Sequence, residues 1–296
     1  MKDQEIVEIE EVLAAFGIYN ANSILRINRN VWLVDNKVLK RTASAERADK
    51  VEYLSKCLRV SNVPSFVCFE RNRTVLPNPV SDRYILMERC NGRIMTSKLL
   101  IASESAASSL GSGLASLHRA LDIAWDARYF PEDNLMVEFF SAANWIAKKG
   151  LNIPDELLKL SFAFAPIYSK LPRQLIHRDV QPRNLFFEKD KLSAFMDFDS
   201  CTREVRIFDL VYLCLTILHD LSHDNDDVMR QWLCFLSTLL RGYSSQGNLT
   251  MCEYDSLDQL ILILQICFLK FYGDIELDFH LHVLHRLWEE RHFFSI

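Results

Sequence analysis

The chain has 296 residues, of which 49% are hydrophobic and 25% are charged, and its formal net charge is −5. These values exclude an intrinsically disordered chain, which contains few hydrophobic residues, and the 8 Gly and 8 Pro exclude a collagen-like or low-complexity chain. The acidic balance argues against a nucleic-acid-binding protein, which usually carries a basic stripe, and it is compatible with cationic or amine-bearing partners.

Residues 1–90 are predicted to form a small unit in which helices and strands alternate. Apolar residues at helical spacing predict helices over 5–16 and 44–58, and Ser44 is the predicted N-cap of the second helix. Alternating apolar and polar residues predict strands over 24–34, 37–41, 66–70 and 84–89, with a tight turn at 35–36. The order helix, hairpin, helix, hairpin indicates an α+β unit.

The pattern becomes mostly helical after Asn91-Gly92. Helical spacing predicts helices over 103–121, 136–149, 155–168, 207–221, 228–240, 256–271 and 277–291. A short β-rich insertion predicts strands over 174–177, 185–187 and 192–196. The change of pattern predicts two domains, residues 1–90 and residues 91–296, with a cleft between them.

The segment 175–210 carries the residues most typical of catalysis. A His-Arg-Asp tripeptide ends at Asp179, Asn184 follows five residues later, and Asp197 opens an Asp-Phe-Asp tripeptide. This order and spacing match the catalytic loop and the metal-binding Asp of kinases. Phosphoryl transfer needs a carboxylate beside the attacking hydroxyl and oxygen ligands that hold Mg²⁺ against the phosphates. Asp179 is therefore the predicted catalytic residue, and Asn184 and Asp197 are the predicted Mg²⁺ ligands.

The first domain supplies the predicted phosphate contacts. Lys40 ends the second strand of the first hairpin, where a kinase lysine contacts the α- and β-phosphates. Its expected partner is a Glu of the next helix, and we prefer Glu46 in the first turn over Glu52. The turn that would cover the phosphates, residues 26–30, contains no glycine, although kinases usually have a Gly-rich loop there.

Together these motifs resemble the aminoglycoside phosphotransferase and choline kinase superfamily, small-molecule kinases with a protein-kinase-like fold. The resemblance covers nearly the whole chain. It depends on VLKRT with Lys40, YILMERCNG at 84–92, LASLH at 114–118, LIHRDVQPRNLFF at 175–187, MDFDS at 196–200 and IFDL at 207–210. The usual loop of that family has Gly where this chain has Arg178.

The resemblance implies a two-lobed protein-kinase-like fold, with a small β-rich N-lobe and a larger, mostly helical C-lobe. It implies ATP as the phosphate donor, with GTP as the alternative, and Mg²⁺ as the metal. The adenine would bind the hinge backbone from Glu88 to Cys90, and Met87 would lie at the back of its pocket. His177 and Asp209 would support the catalytic loop.

Three features favour a small-molecule acceptor over a protein. Nine residues separate Asp199 from Asp209, which leaves no room for a long activation segment; no A-P-E motif follows; and Gln181 replaces the Lys found in protein kinases. The prediction is an ATP- and Mg²⁺-dependent O-phosphotransferase that acts on a hydroxyl of a small molecule. The net acidity suggests an aminoglycoside-like or other amine-bearing acceptor, with homoserine, choline or fructosamine-type metabolites as alternatives.

Two further alternatives stay open. The His-Arg-Asp spelling favours a protein kinase slightly, and the glycine-free turn favours a nucleotide-binding pseudokinase without catalysis. An amine could be bound by acidic residues of the C-terminal helices, namely Glu253, Asp255, Asp258, Asp274 or Glu276.

A cytoplasmic protein is predicted from several features of the chain. The N-terminus lacks the pattern of a signal peptide, and the longest apolar run, at 260–269, is too short to span a bilayer. The 8 Cys are scattered and form no C-x-x-C pair, as is typical of reduced residues. No membrane or nucleic-acid partner is expected, and the sequence does not determine the oligomeric state.

Overall fold

The fold, taken from a computed structural model, is described for residues 3–65, 67–69, 83–222, 228–273 and 275–291. The helices of this part are α1 Asp3–Ala14, α2 Ala45–Val60, α3 Ser97–Ala102, α4 Glu104–Ile123, α5 Leu135–Lys149, α6 Asp155–Ala163, α7 Ala165–Tyr168, α8 Phe208–Ser222, α9 Val228–Ser244, α10 Met251–Tyr254, α11 Leu257–Tyr272 and α12 Leu277–Glu289. The strands are β1 Ile24–Asn28, β2 Val31–Val34, β3 Lys37–Arg41, β4 Tyr84–Glu88, β5 Arg93–Ile94, β6 Arg173–Ile176, β7 Leu185–Glu188, β8 Lys191–Phe195 and β9 Thr202–Val205.

The N-terminal part is an antiparallel sheet with the order β1-β2-β3-β4 and one helix on each face. Successive side chains of a strand point to opposite faces of the sheet, so β4 contributes side chains to both faces. Tyr84 and Leu86 pack with buried residues of α1, whereas Ile85 and Met87 belong to the core shared with α2. Ser44 caps α2 as predicted, since its side chain accepts from the Arg47 N–H at 3.3 Å.

The predicted strand 24–34 is wrong, because the chain turns back between β1 and β2. The Asn30 N–H donates to Asn28 Oδ1 at 2.9 Å, and such local bonds of asparagine favour a turn over a continuous strand. β1 then pairs antiparallel with β2. The predicted strand 66–70 lies partly outside the described residues, and Cys68 within it bridges to Met87.

The C-terminal part is helical around one large core, in which α4 and α9 make the closest contact. A Cβ added to Gly111 would lie 2.1 Å from the Leu239 carbonyl oxygen, and one added to Gly242 would lie 2.3 Å from that of Ser108. Glycine is therefore required for these two backbones to approach. Of the helices in the described ranges, none has the length and apolar character needed to cross a membrane.

Several short elements of this part were not predicted. They are β5, α3, α10 and β9, and β9 pairs antiparallel with β6 along its whole length. The predicted helix 155–168 is divided into α6 and α7 at Phe164. Pro166 explains the division, because proline has no N–H to continue the hydrogen bonds of α6 and is tolerated in the first turn of a new helix.

Candidate active site

The predicted catalytic loop follows β6 and is held by one buried aspartate. The backbone N–H groups of His177 and Arg178 each donate to the carboxylate of Asp209 at 2.8 Å. Asp209 lies in the first turn of α8 and is 0% exposed. Its Oδ2 also lies 3.1 Å from His118 Nε2. These are the contacts that a residue supporting the loop would make, because a charged acceptor forms strong bonds to backbone donors.

The neighbours of Asp209 favour its ionised form. Burial by itself raises the pKa of this carboxyl, but the hydrogen bond and charge of His118, together with His177, more than offset burial and the pKa is lowered. His118 is itself oriented by Tyr243, whose hydroxyl lies 2.9 Å from its Nδ1. A chain of hydrogen bonds therefore connects α9, α4 and the catalytic loop.

Arg178 occupies the left-handed region with φ of +71°, which is strained for any residue except glycine. Its guanidinium donates to Asp133 at 2.8 Å and to Glu138 at 2.5 Å. Its Cζ lies 4.0 Å from the centre of the Phe208 ring. The Arg178 side chain joins the start of α5 to the loop through these contacts. Their stabilisation offsets the strain of the left-handed backbone, which explains how arginine is tolerated where the family usually has glycine.

His177 connects the catalytic loop to the predicted metal segment. Its Nε2 lies 2.9 Å from the Met196 carbonyl oxygen and its Nδ1 lies 3.3 Å from the Asp179 N–H. Because a carbonyl only accepts and an amide N–H only donates, Nε2 is the donor and Nδ1 the acceptor in these contacts. The Met196 N–H also donates to the Asn184 carbonyl at 2.9 Å. The residue before Asp197 is thus bonded to the loop through both of its backbone groups.

Three side chains orient the carboxylate of Asp179. Asn184 Nδ2 donates to Oδ2 at 2.9 Å, and the Tyr212 hydroxyl donates to Oδ1 at 3.1 Å. Gln181 Nε2 donates to the same Oδ1. Tyr212 follows Asp209 by three residues on α8, so both side chains extend from one helical face to the loop. A carboxylate oriented in this way is suited to accept a proton from a hydroxyl.

Lys40 joins the N-terminal sheet to the Asp-Phe-Asp segment. Its Nζ lies 2.7 Å from Asp197 Oδ1 and 3.1 Å from Asp199 Oδ2. Burial by itself lowers the pKa of this ammonium, but the charges of Asp199 and Asp197 outweigh burial and the pKa is raised. Asp197 has φ of +62°, so the backbone turns sharply here. Lys40 is therefore a firmly protonated cation between two carboxylates.

The partner of Lys40 differs from the one expected from the sequence. Glu46 lies in the first turn of α2 with its side chain exposed. Glu52 lines a separate cavity of about 360 Å³, together with the side chain of Glu88. The expected Lys40–Glu46 pair is thus not formed, although the structure describes both residues, because the first turn of the helix faces solvent and the two aspartates supply the countercharge.

A cavity of about 170 Å³ lies beside Lys40 and Asp197. Apart from charged Lys40, Asp197 and Asp199, its lining is apolar: Val31, Val38, Val51, Ile85, Met87, Met196 and Phe198. Such a lining with a charged end suits a ligand that has a flat apolar part and an anionic part. A larger cavity of about 860 Å³ lies between α4 and α9 and includes none of the predicted site residues.

The predicted hinge residues lie in different surroundings. Met87 lines the 170 Å³ cavity. The Glu88 N–H donates to the Val67 carbonyl at 2.8 Å, and Cys90 Sγ lies 3.3 Å from Met196 Sδ. Cys90 therefore contacts the wall of the same cavity, whereas the side chain of Glu88 faces away from it.

The glycine-free turn between β1 and β2 is held by side chains. Arg26 Nε donates to the Asn28 carbonyl at 3.1 Å, and Arg41 Nη2 donates to Asn30 Oδ1 at 3.2 Å. These hydrogen bonds stabilise the reversal of the chain without glycine, whose conformational freedom allows the reversal in a Gly-rich loop.

The oxygen atoms near Lys40 fit a hard divalent cation. Asp199 Oδ1 is buried and accepts no hydrogen bond from any described residue, and the side chain of Asp197 is 46% exposed. No cluster of three or more His, Cys, Asp or Glu with metal-binding geometry occurs in the described ranges. A two-carboxylate set still suits Mg²⁺, which is usually held by one or two carboxylates and by phosphate oxygens.

Comparison with known proteins identifies the family. The family model described as "Phosphotransferase enzyme family" matches residues 21–250. The chain belongs to this family. Homoserine kinase of Brucella ovis is 34% identical over 93 residues, which are 30% of this chain and 26% of that protein, so the match spans about a quarter of the relative's length.

Solved structures of similar fold include several small-molecule kinases. The choline/ethanolamine kinase family protein from Mesorhizobium loti is 14% identical with a TM-score of 0.65, over 97% of this chain and 98% of that one. Amicoumacin kinase hAmiN, in complex with AMP-PNP, Ca²⁺ and Ami, is 15% identical with a TM-score of 0.64, over 98% and 93%. The GDP complex of aminoglycoside 2'-phosphotransferase-IIIa is 16% identical with a TM-score of 0.62, over 98% and 99%. The predicted family and the predicted protein-kinase-like fold are confirmed.

Sequence reasoning missed several residues that this member of the phosphotransferase family brings to the site. Tyr212 could have been found, because its spacing from Asp209 places both on one helical face. Asp133 and Glu138 carried no local signal, since they reach the loop from 40 or more residues away. His118 ends the LASLH motif at 114–118, but its contact with Asp209 was not predicted.

Proposed function

We propose that this phosphotransferase transfers the γ-phosphoryl group of ATP to a hydroxyl of a small molecule, with Mg²⁺. The supporting observation is the Met196 backbone, which accepts from His177 at 2.9 Å and donates to Asn184 at 2.9 Å. These bonds join the loop of Asp179 to the segment of Asp197. We also propose that residues 1–90 hold the nucleotide and residues 91–296 hold the acceptor.

Each residue of the site has a role that its contacts suit. Asp179 orients the acceptor hydroxyl and takes its proton. Asn184 and Asp197, with Asp199 beside Asp197, would hold Mg²⁺, which would neutralise phosphate charge. Lys40 binds the phosphates, and its present partners support this role: a phosphate can replace the carboxylates around the ammonium, and Asp197 then becomes available to the cation.

The donor is ATP, with GTP as the alternative. The 170 Å³ cavity with Met87 in its wall supports an adenine site next to Lys40, and the hinge from Glu88 to Cys90 follows directly along the chain. The names of similar structures include complexes with AMP-PNP and with GDP, so this fold accepts both kinds of nucleotide.

The segment 200–208 supports a small acceptor rather than a protein. β9 occupies four of its nine residues and pairs with β6 in four consecutive positions. A protein kinase would carry its activation segment here. In this chain nine residues, including β9, connect Asp199 to Asp209 of α8, and this short connection supports a small-molecule acceptor.

The acceptor class is proposed from charge and from the names of similar proteins. Those names include aminoglycoside, amicoumacin, choline/ethanolamine and homoserine kinases. Asp133 and Glu138 place one more negative charge beside the loop than Arg178 neutralises, which favours an amine-bearing acceptor. Of the acidic residues predicted to bind an amine, Glu253 is excluded because it is buried and bonded to Arg206 at 2.6 Å, and Asp274 lies outside the described residues.

The test is a transfer assay with labelled ATP and Mg²⁺ against aminoglycosides, homoserine, choline, a fructosamine and a generic protein. We expect label on a small molecule and a loss of roughly 10²- to 10⁴-fold in Asp179→Asn, the range for a lost general base. Asp190→Asn, in an exposed hairpin turn, is the matched control. Label on protein alone would support a protein kinase, and nucleotide binding without any transfer would support a pseudokinase.

A further inference from the structure

Lys50 is a buried cation that the proposed mechanism does not use. It lies on α2, four residues before Leu54 and eight before Leu58, both of which are buried. Its position is therefore on the apolar stripe of the helix, and only 8% of the residue is exposed. Lysine is among the residues least often buried, so its presence on this face requires an explanation.

The hydrogen-bond partners of the Lys50 ammonium are two backbone carbonyls, and the charge of Asp199 also acts on it. Lys50 Nζ donates to the carbonyl of Asp199 at 3.0 Å and to the carbonyl of Cys201 at 2.9 Å. It also lies 5.2 Å from the centre of the Phe130 ring. Burial lowers the pKa of this ammonium. A buried charge held by carbonyls and a ring contributes little to stability by itself, because removing it from water is expensive.

The two carbonyls belong to the segment that carries the predicted metal ligand. Residues 198–200 form a short 3-10 turn directly after Asp197, and Asp197 has the strained φ of +62°. In this conformation the carboxylates of Asp197 and Asp199 both face Lys40. A strained backbone persists only where its surroundings hold it, and Lys50 supplies two of the bonds that hold it.

We propose that Lys50 is a positioning residue that fixes the backbone of residues 199–201, so that Asp197 and Asp199 face Lys40 and the metal-bound nucleotide. The inference rests on the proposed function, because it concerns the same site. It also reverses the expected role of α2. The sequence predicted a helix glutamate that pairs with Lys40, whereas α2 here presents a cation to the metal segment, and Asp199 supplies the carboxylate.

The experiment compares three variants with the wild type by equilibrium binding of a fluorescent ATP analogue, in EDTA and across a Mg²⁺ titration. Lys50→Met removes the charge and keeps an unbranched apolar chain. Lys50→Arg keeps the charge but changes the donor geometry. Lys56→Met, at an exposed position of the same helix, is the control. Urea unfolding without ligand reports stability.

Lys50→Met is expected to raise the Mg²⁺ concentration that half-saturates nucleotide binding roughly 10- to 100-fold, the range found when a residue that orients metal ligands is removed. Binding in EDTA is expected to stay unchanged. The free energy of unfolding is expected to change little, because removal of a buried charge offsets the loss of the donor to the Asp199 and Cys201 carbonyls. Lys50→Arg is expected to give an intermediate Mg²⁺ requirement, and Lys56→Met none of these effects.

Two results would overturn the proposal. One is that Lys50→Met needs the same Mg²⁺ concentration as the wild type to half-saturate nucleotide binding. If Lys50→Met does not fold, the same result in folded Lys50→Arg would overturn the proposal. The other is weaker binding by the same factor with and without Mg²⁺ together with lower stability, which would mean a purely structural role. If the wild type binds no nucleotide, the proposed function itself fails. If the wild type binds nucleotide with a Mg²⁺ requirement and Lys50→Met has the same requirement, only the proposal for Lys50 fails.

Discussion

The left-handed conformation of Arg178 allows backbone strain and side-chain clamping to be measured separately at one position. Arg178→Ala removes the side chain and keeps the strain, whereas Arg178→Gly removes both. The left-handed penalty is about 1–2 kcal/mol for a residue with a Cβ. It is partly offset by the greater unfolded-state entropy of glycine, about 0.4–1 kcal/mol. Glycine is therefore expected to be more stable than alanine here by about 1 kcal/mol.

The clamp sets the difference between each variant and the wild type. The side chains of Asp133 and Glu138 are 37% and 43% exposed, so solvent screens both ion pairs with Arg178, and each contributes about 0.5–1 kcal/mol. The guanidinium over the Phe208 ring adds about 1 kcal/mol. Losing all three contacts should lower the free energy of unfolding by about 2–3 kcal/mol in Arg178→Ala, and by about 1–2 kcal/mol in Arg178→Gly.

The assay is urea unfolding followed by tryptophan fluorescence at neutral pH, together with kcat for the acceptor found in the transfer assay. In both variants the backbone N–H of residue 178 can still donate to Asp209, so kcat of Arg178→Gly is expected to stay close to that of the wild type. An alanine variant as stable as the glycine variant would refute the strain argument. A glycine variant as stable as the wild type would refute the clamp.

Three more predictions follow from the contacts. Tyr212→Phe loses the 3.1 Å hydrogen bond to Asp179. This should lower kcat about 5- to 10-fold, as expected for one hydrogen bond of about 1 kcal/mol, and should leave the KM for nucleotide unchanged. An unchanged kcat would contradict the role of Tyr212. Gly111→Ala should lower the free energy of unfolding by about 2–3 kcal/mol, because its Cβ meets a backbone oxygen of α9, whereas Gly113→Ala should lower it less, because its Cβ meets a movable leucine side chain. Asp209→Asn should be about 2–4 kcal/mol less stable at pH 7 in urea unfolding. Since the folded pKa of Asp209 is lowered, this gap should be complete above about pH 4 and should close as the pH falls through the folded value; a gap independent of pH would show that the charge is irrelevant.

The sequence by itself determined the features that depend on neighbours within a few residues. The Ser44 cap, most helices and the order of the loop residues are of this kind, because helical spacing, capping and tight turns are local. Spacing along the chain also led to the family, since Asp179, Asn184 and Asp197 lie within one short segment. The division of 24–34 had a local signal, the three consecutive polar residues 28–30, but the strand was predicted to continue across them.

The tertiary structure alone decided which charges meet. Lys40 and Asp197 are separated by 157 positions in the chain, and their pairing depends on how the sheet and the metal segment pack. Glu46 and Lys50 lie one turn apart on the same side of α2, so which of them faces the site depends on the position of the helix along its axis relative to the metal segment, and amphipathic spacing does not resolve this position. Ion pairs and buried cations are therefore decided by packing over long sequence distances, whereas helices, caps and motifs are encoded locally.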